Sequence, residues 1–311
     1  MEITPKAAYP VDLHTHTNRS DGTDAPWEHI RHAAEAGLAI VAMTDHDIRP
    51  PKTIDVPGEE SPVDPVEYAK SLGVTLIPGT EISCETDLED VHLVCLGCDW
   101  EHPFFAQMEA DVVRSKIDGY SELCERLTAV GMPVSLSELR FPDGSPVPED
   151  RVQKKMIFEL LAAKGFTKDW AEAKLMIKKD KRFAVNRRKP DPCEVIRKVH
   201  EAGGIVIEAH PYLVTLPYEE RKAYIETLIE AGLDGIEARY TYDKTSYGGT
   251  KTPEEIEREV KEAYAGRLSI ISGGSDYHND GRKGVKNPRH LGEKGLTLDE
   301  FYAQPALVKL L

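Results

Sequence analysis

Cysteine is scarce in this chain and odd in number: Cys84, Cys95, Cys98, Cys124 and Cys193 among 311 residues. Neither count nor spacing supports a disulfide framework. Cys95-x-x-Cys98 has no second cysteine pair to complete a zinc site and lies in an apolar, strand-like run, so buried thiols are expected there. No stretch approaches the ~20 consecutive apolar residues that a membrane-spanning helix needs. Met1 to Pro10 carries no apolar run of the signal-peptide kind, and a reducing cytoplasm is the expected location. Positive charge is also short: 39 Lys and Arg stand against 54 Asp and Glu, a net charge of −15. That balance argues against a protein that tracks long nucleic acid, because such affinity rests on neutralising phosphates. A small phosphorylated ligand stays open. Internal repeats and low-complexity tracts are absent.

What is present is an ordinary globular composition, 40% hydrophobic and 30% charged, at a length that accommodates several packed layers. Seven apolar runs read as strands: Val11 to Thr17, Leu38 to Met43, Val74 to Ile77, Val91 to Leu96, Ile205 to Glu208, Gly235 to Arg239 and Leu268 to Ile271. Helical patterns or long connections follow them. Such alternation predicts parallel strands with crossover helices. Between Asp99 and Pro190 the rhythm breaks into helices alone, Phe104 to Val130 (with Gly119 as a weak point), Val152 to Gly165 and Trp170 to Lys179. The expected organisation is a barrel from residues 1–98 and 190–311, with a helical insertion over 99–189. His29 and His32, on the helix Pro26 to Gly37, are expected on its solvated face.

Polar side chains with ligand chemistry collect where the strands end. His14 and His16, two apart on a strand, share a face. Asp21 follows in a Ser-Asp-Gly turn. Asp45 and His46, Glu81, His92, His210, Asp276 and His278 occupy later strand ends, and six of the eleven histidines are in this set. In barrels of this type the active site lies on that face. Imidazoles interleaved with carboxylates suit first-row divalent metals, and so many ligands imply two or three ions rather than one.

The motifs Asp12-Leu-His14-Thr-His16, Asp21-Gly, Thr-Asp45-His46-Asp, Gly-Thr-Glu81-Ile-Ser, His92, Ala-His210-Pro and Gly-Ser-Asp276-Tyr-His278 resemble, in order, those of the PHP (polymerase and histidinol phosphatase) family. The resemblance covers residues 11 to 98 and 190 to 279. It implies an α/β fold, a distorted (β/α)7 barrel with an α-helical insertion that serves as a substrate cap, and metal-dependent phosphoester hydrolysis. By the same resemblance His14, His16 and Asp276 would hold one ion, with Glu81 bridging to a second held by His92 and His210. Asp21, His46 and His278 would hold a third. The ions would be Mn, Fe or Zn, and a metal-bridging hydroxide would attack phosphorus. Asp45 would orient His16 or His46, or assist the leaving group.

Substrate contacts are expected from cations near the strand ends. Asn186-Arg187-Arg188-Lys189 lies where the insertion rejoins the barrel, Arg239 ends a strand, and Arg282 and Lys283 sit in a basic, Gly-rich loop after the last metal motif. Inserted members of the family tend to carry Gly-Arg-Pro-His in the insertion; here Asp150-Arg151-Val152-Gln153 stands instead, matching only at Arg151. Arg239-Tyr240-Thr241-Tyr242 replaces a plainer turn after Glu237. Both departures point away from a plain nucleotide phosphatase and toward a pocket that also takes sugar phosphates or cyclic phosphodiesters. The leading expectation is a phosphatase or cyclic phosphodiesterase acting on a nucleotide or ribose phosphate. A 5'-3' exonuclease on short oligonucleotides and a non-catalytic metal-binding domain are the alternatives.

Overall fold

The computed structural model describes residues 6–84, 91–185, 188–214 and 216–311. Seven strands form one sheet: β1 (Val11–Asp12), β2 (Ile40–Met43), β3 (Thr75–Cys84), β4 (Val91–Leu96), β5 (Ile205–Glu208), β6 (Gly235–Arg239) and β7 (Ile270–Gly273), ordered β1 to β7 as in sequence. Hydrogen bonds then join the two edges: Leu13 N donates to Gly273 O at 3.4 Å, Asp276 N to His14 O at 2.8 Å and His16 N to Tyr277 O at 2.8 Å. The sheet is thus a nearly closed, distorted barrel.

The strands are not all parallel, as the alternation had suggested. β1–β2–β3 and β5–β6–β7 are parallel, but β4 runs antiparallel to both β3 and β5. The physical reason is chain length. Only residues 85–90 separate β3 from β4, and a parallel return needs a crossover of a dozen residues or more. Reversal has a functional result. His92, at the start of β4, pairs with Ser83 near the end of β3 and so lies at the same barrel end as Glu81.

β1 is also shorter than expected. Its ladder stops at Asp12, because the next residues bond largely to side chains: Thr15 N to Thr44 Oγ1 (3.1 Å), Thr17 N to Asp45 Oδ1 (2.8 Å). His14 and His16 therefore sit on a segment beyond β1 that pairs with the end of β7 and the loop after it.

Alternation along the strands builds the layers. Ile40 and Ala42 of β2 join Ile77, Val94, Ile207 and Ile270 in one core, while Val41 and Met43 face a second. Around the barrel pack α1 (Pro26–Ala36) and α2 (Pro65–Ser71). Then come α3 (Pro103–Ala129), which runs unbroken through Gly119, α4 (Lys154–Ala163) and α5 (Trp170–Lys179). The remaining helices are α6 (Pro192–Glu201), α7 (Tyr218–Glu230), α8 (Pro253–Tyr264), α9 (Leu298–Tyr302) and α10 (Pro305–Val308). Phe301 of α9 and Leu307 of α10 are fully buried in the first core. Pro follows a capping side chain at α2 (Asp64), α6 (Asp191) and α8 (Thr252), the expected helix-start chemistry.

The chain divides into two compact units, Met1–Ala106 with Pro190–Leu311, and Gln107–Lys189. The second is helical and has its own core, built on Leu123, Leu127, Ile157, Leu161, Ala173 and Phe183. Cys95 and Cys98 are buried thiols; burial lifts Cys95 well above the usual thiol range and, with Asp99, pushes Cys98 up to about 12. His29 departs from its expected place. It is fully buried on α1, whereas His32 is partly exposed and bonds Asp24 at 2.7 Å.

Candidate metal centre

Glu81 is the hub of the barrel end. It is fully buried, and five imidazoles face its two oxygens. Oε2 lies 3.0 Å from His14 Nε2, 3.2 Å from His16 Nε2 and 3.1 Å from His46 Nδ1. Oε1 lies 2.9 Å from His92 Nδ1 and 3.0 Å from His210 Nε2. Asp276 Oδ1 adds a second acid, 3.0 Å from His16 Nε2 and 3.6 Å from His14 Nε2. Asp21 Oδ1 is 2.9 Å from His278 Nε2 and 3.9 Å from His46 Nε2. The nine residues expected as ligands therefore converge, although they come from segments up to 264 positions apart (14 to 278).

Donor chemistry and geometry fit divalent cations. Three groups have ligand atoms within 4.8 Å of one another: His14, His16, Glu81 and Asp276; His16, Asp21, His46 and His278; and His46, Glu81 and His92. His14 Nε2, His16 Nε2, His46 Nδ1 and Glu81 Oε2 are buried without a hydrogen-bond partner. Their close approaches are not aligned as N–H···O bonds but as donors sharing a centre. Four such buried atoms are costly as bare polar groups and suited to a cation.

The field within the cluster is strongly coupled. Burial alone would raise the Glu81 carboxyl, but His14, His46 and His92 outweigh it and hold it well below the usual range. Asp276 behaves likewise, with burial opposed by His278, His14 and Arg289. Asp12 contrasts with them. Burial pushes it up to about 6 against hydrogen bonds from Ser275, Gly292 and His14, and its role is to tie β1 to the loop after β7.

Three residues that carry the site were not assigned from sequence. Glu237 on β6 accepts from His14 Nδ1 at 3.0 Å and from His210 N at 2.7 Å, fixing two candidate ligand residues at once. Its signal was an acid between Ile236 and Ala238 in a buried strand. Tyr240 donates from its hydroxyl to Asp276 Oδ2 at 2.6 Å and packs 5.0 Å from the His210 ring. Arg289 also bonds Asp276 Oδ2 through Nη1. These donors engage the outer oxygen of Asp276 and leave Oδ1 toward His14 and His16.

Asp45 does not reach the site. Its carboxylate accepts from Thr17 N (2.8 Å), Thr17 Oγ1 (2.7 Å) and Ser20 Oγ (2.7 Å), so it holds the loop before Asp21.

Within the barrel unit, the expected substrate cations Arg239, Arg282 and Lys283 do not line the cavity that opens on the cluster. Arg239 forks to Glu300 (2.5 and 2.7 Å), bonds Glu257 at 2.8 Å and stacks on Tyr9. A register shift falls between Glu237 and Arg239, and their side chains have separate sets of partners. Arg282 pairs with Asp24 and Glu28, and Lys283 bonds the carbonyl of Asp21 from an exposed position. Arg151 and Arg188 belong to the helical unit and are exposed. Asn186 and Arg187 lie outside the described residues.

A cavity of about 300 Å³ opens on the ligand cluster. Beyond the ligands it is lined by Leu213, Tyr240, Lys244, Thr245, Ser246 and Arg289. It is wide enough for a small phosphorylated molecule.

Comparison with known proteins agrees with this geometry. Residues 12–166 match the family described as the PHP domain. A 5'-3' exoribonuclease of Haemophilus influenzae is 26% identical over 270 residues, 86% of this chain and 89% of the relative. A 3',5'-nucleoside bisphosphate phosphatase of Chromobacterium violaceum is 25% identical over 280 residues, 88% and 89% of the two chains. A phosphoribosyl 1,2-cyclic phosphate 1,2-diphosphodiesterase of Eggerthella lenta is 26% identical over 274 residues, 86% and 93% of the two. Among solved structures, a candidate metal-dependent phosphoesterase from Bifidobacterium adolescentis superposes with a TM-score of 0.66 at 25% identity, covering 96% of each chain.

Proposed function

This chain belongs to the PHP family and is a phosphoester hydrolase, and from that premise we propose how its own residues do the work. His14, His16 and Asp276 would hold one divalent cation, and Glu81, His92 and His210 a second. Asp21, His46 and His278 would hold a third. The observation that carries this is the convergence of five imidazoles on the two oxygens of Glu81 at the floor of a cavity. Mixed nitrogen and oxygen donors suit Mn, Fe or Zn. Bound cations supply charge neutralisation at the phosphoryl oxygens and a water of lowered pKa.

The protein supplies orientation. Glu237, bonded to His14 Nδ1, leaves Nε2 to the site. Tyr240 and Leu213 make the less polar part of the wall. Lys244, Thr245 and Ser246 give the substrate's anionic portion a polar face. The substrate is a small phosphorylated metabolite, a nucleotide or ribose phosphate, as monoester or cyclic diester; the phosphatase and phosphodiesterase relatives support it. Hydrolysis of short oligonucleotides is the second reading, favoured by the exoribonuclease relative. Five free cysteines suit work in a reducing cytoplasm.

The test is hydrolysis by Mn-loaded protein, followed by chromatography of the products: phosphate release from a nucleoside 3',5'-bisphosphate, ring opening of a ribose 1,2-cyclic phosphate to the monoester, and mononucleotide release from a short 5'-phosphorylated oligoribonucleotide. Turnover of one of the first two is expected. His14→Ala should cut it by more than about 100-fold, the upper range for lost outer partners of metal sites. Less than one metal per chain, or full activity in His14→Ala, would overturn the metal assignment.

A further inference from the structure

Resting on the phosphoesterase reading, we propose that Arg289 grips the phosphoryl group of the substrate. Among the described basic side chains of residues 281–290, Arg289 is the one that lines the cavity. Its Nε donates to Asp280 Oδ2 at 2.7 Å and its Nη1 to Asp276 Oδ2. Its Nη2 donates to none of the described residues.

Arg239 shows what a wholly structural arginine looks like in this protein. All three of its nitrogens bond acceptors: Nε to Glu257, Nη1 to Glu300 and Gly295 O, Nη2 to Glu300. Arg289 has two nitrogens held by buried carboxylates and a third with no acceptor among the described residues, in a side chain that lines the cavity. A guanidinium has five N–H donors in a fixed plane, so two anchored nitrogens aim the rest without further loss of freedom. Arg is well shaped for phosphoryl oxygens. Anchoring on Asp276 places it beside the ligand cluster, since that carboxylate's other oxygen faces His14 and His16. Lys244, the other cation of the wall, is bound by Glu293 and by Pro288 O and lacks the fork.

The experiment measures binding of inorganic phosphate by calorimetry and its inhibition constant, both at saturating Mn²⁺, with Mn²⁺ affinity determined in parallel by chelator competition. Arg289→Met should weaken phosphate binding and raise KM by about tenfold or more, the size of a lost charge-assisted hydrogen bond. Arg282→Met, whose guanidinium pairs with Asp24 and Glu28 instead, should leave phosphate binding unchanged. Should Arg289→Met fail to fold, Arg289→Lys keeps the charge but not the fork and must still weaken phosphate. The proposal is overturned if phosphate binding at saturating Mn²⁺ is unchanged in these Arg289 variants, which would leave only a brace for Asp276. It is equally overturned if Arg282→Met weakens phosphate as much. Wild-type protein that binds phosphate through Arg289 yet hydrolyses no phosphoester would refute the phosphoesterase reading and leave this assignment standing.

Discussion

His29 has no exposed surface, and neither of its ring nitrogens has a hydrogen-bond partner. Burial is the dominant cause that brings its pKa down from 6.5 to about 4, with Asp24 and Asp45 opposing. The sign follows directly. Above pH 6.5 the ring is neutral in both folded and unfolded chains, and its packing is fully available. Between 6.5 and 4 the unfolded chain binds a proton that the folded one refuses, so stability falls as pH falls. The loss between pH 7 and 4.5 is about 2–3 kcal/mol from this residue. His29→Phe removes the titration, so its unfolding free energy in urea should drop by that much less across the same interval. An equal drop in both proteins would refute the account. Glu237 and Tyr240 belong to the same scale. Each is one polar group in an apolar setting, legible as an oddity in sequence but not as a partner of His14 or Asp276.

Elements matter here chiefly by where they end. The reversal of β4 brings His92 to the barrel end that holds Glu81, and beyond the short β1 the segment with His14 and His16 runs along the loop after β7. Gly274, just after β7, makes that close approach feasible. A Cβ there would lie 2.3 Å from His14 Cβ, 2.9 Å from His14 N and 3.0 Å from Glu237 Oε1. Gly274→Ala must therefore push the end of β7 away from the histidine segment. Overpacking of this kind costs about 1–3 kcal/mol. A lower Tm together with a lower Mn²⁺ stoichiometry by mass spectrometry is the expected outcome. Gly266→Ala, where a Cβ meets nothing within 4 Å, should change neither.

At the scale of the molecule, two units carry separate cores. Leu161 is fully buried in the helical unit among Ile157, Phe158 and Ile177. Leu161→Ala should cost that unit about 2–5 kcal/mol, read as an earlier helical transition in circular dichroism. Mn²⁺ affinity, a property of the barrel unit, should be unchanged. A metal site that fails together with the helical core would show that the two fold as one.

Sequence by itself determined the class of the protein and the kinds and order of its proposed metal ligands. Seven apolar runs and the polar residues at their ends are local signals, set by side-chain chemistry and by a period of two along a strand. The nine proposed ligand residues were legible because each sits in a short motif at a strand end or start. Tertiary structure alone decided which way β4 runs and which arginine faces the cavity. Those depend on the length of a connection and on which carboxylate a long side chain reaches first. Arg239, Arg282 and Arg289 are alike as letters. They part only when Glu300, Asp24 and Asp276, distant in sequence, come within hydrogen-bonding range.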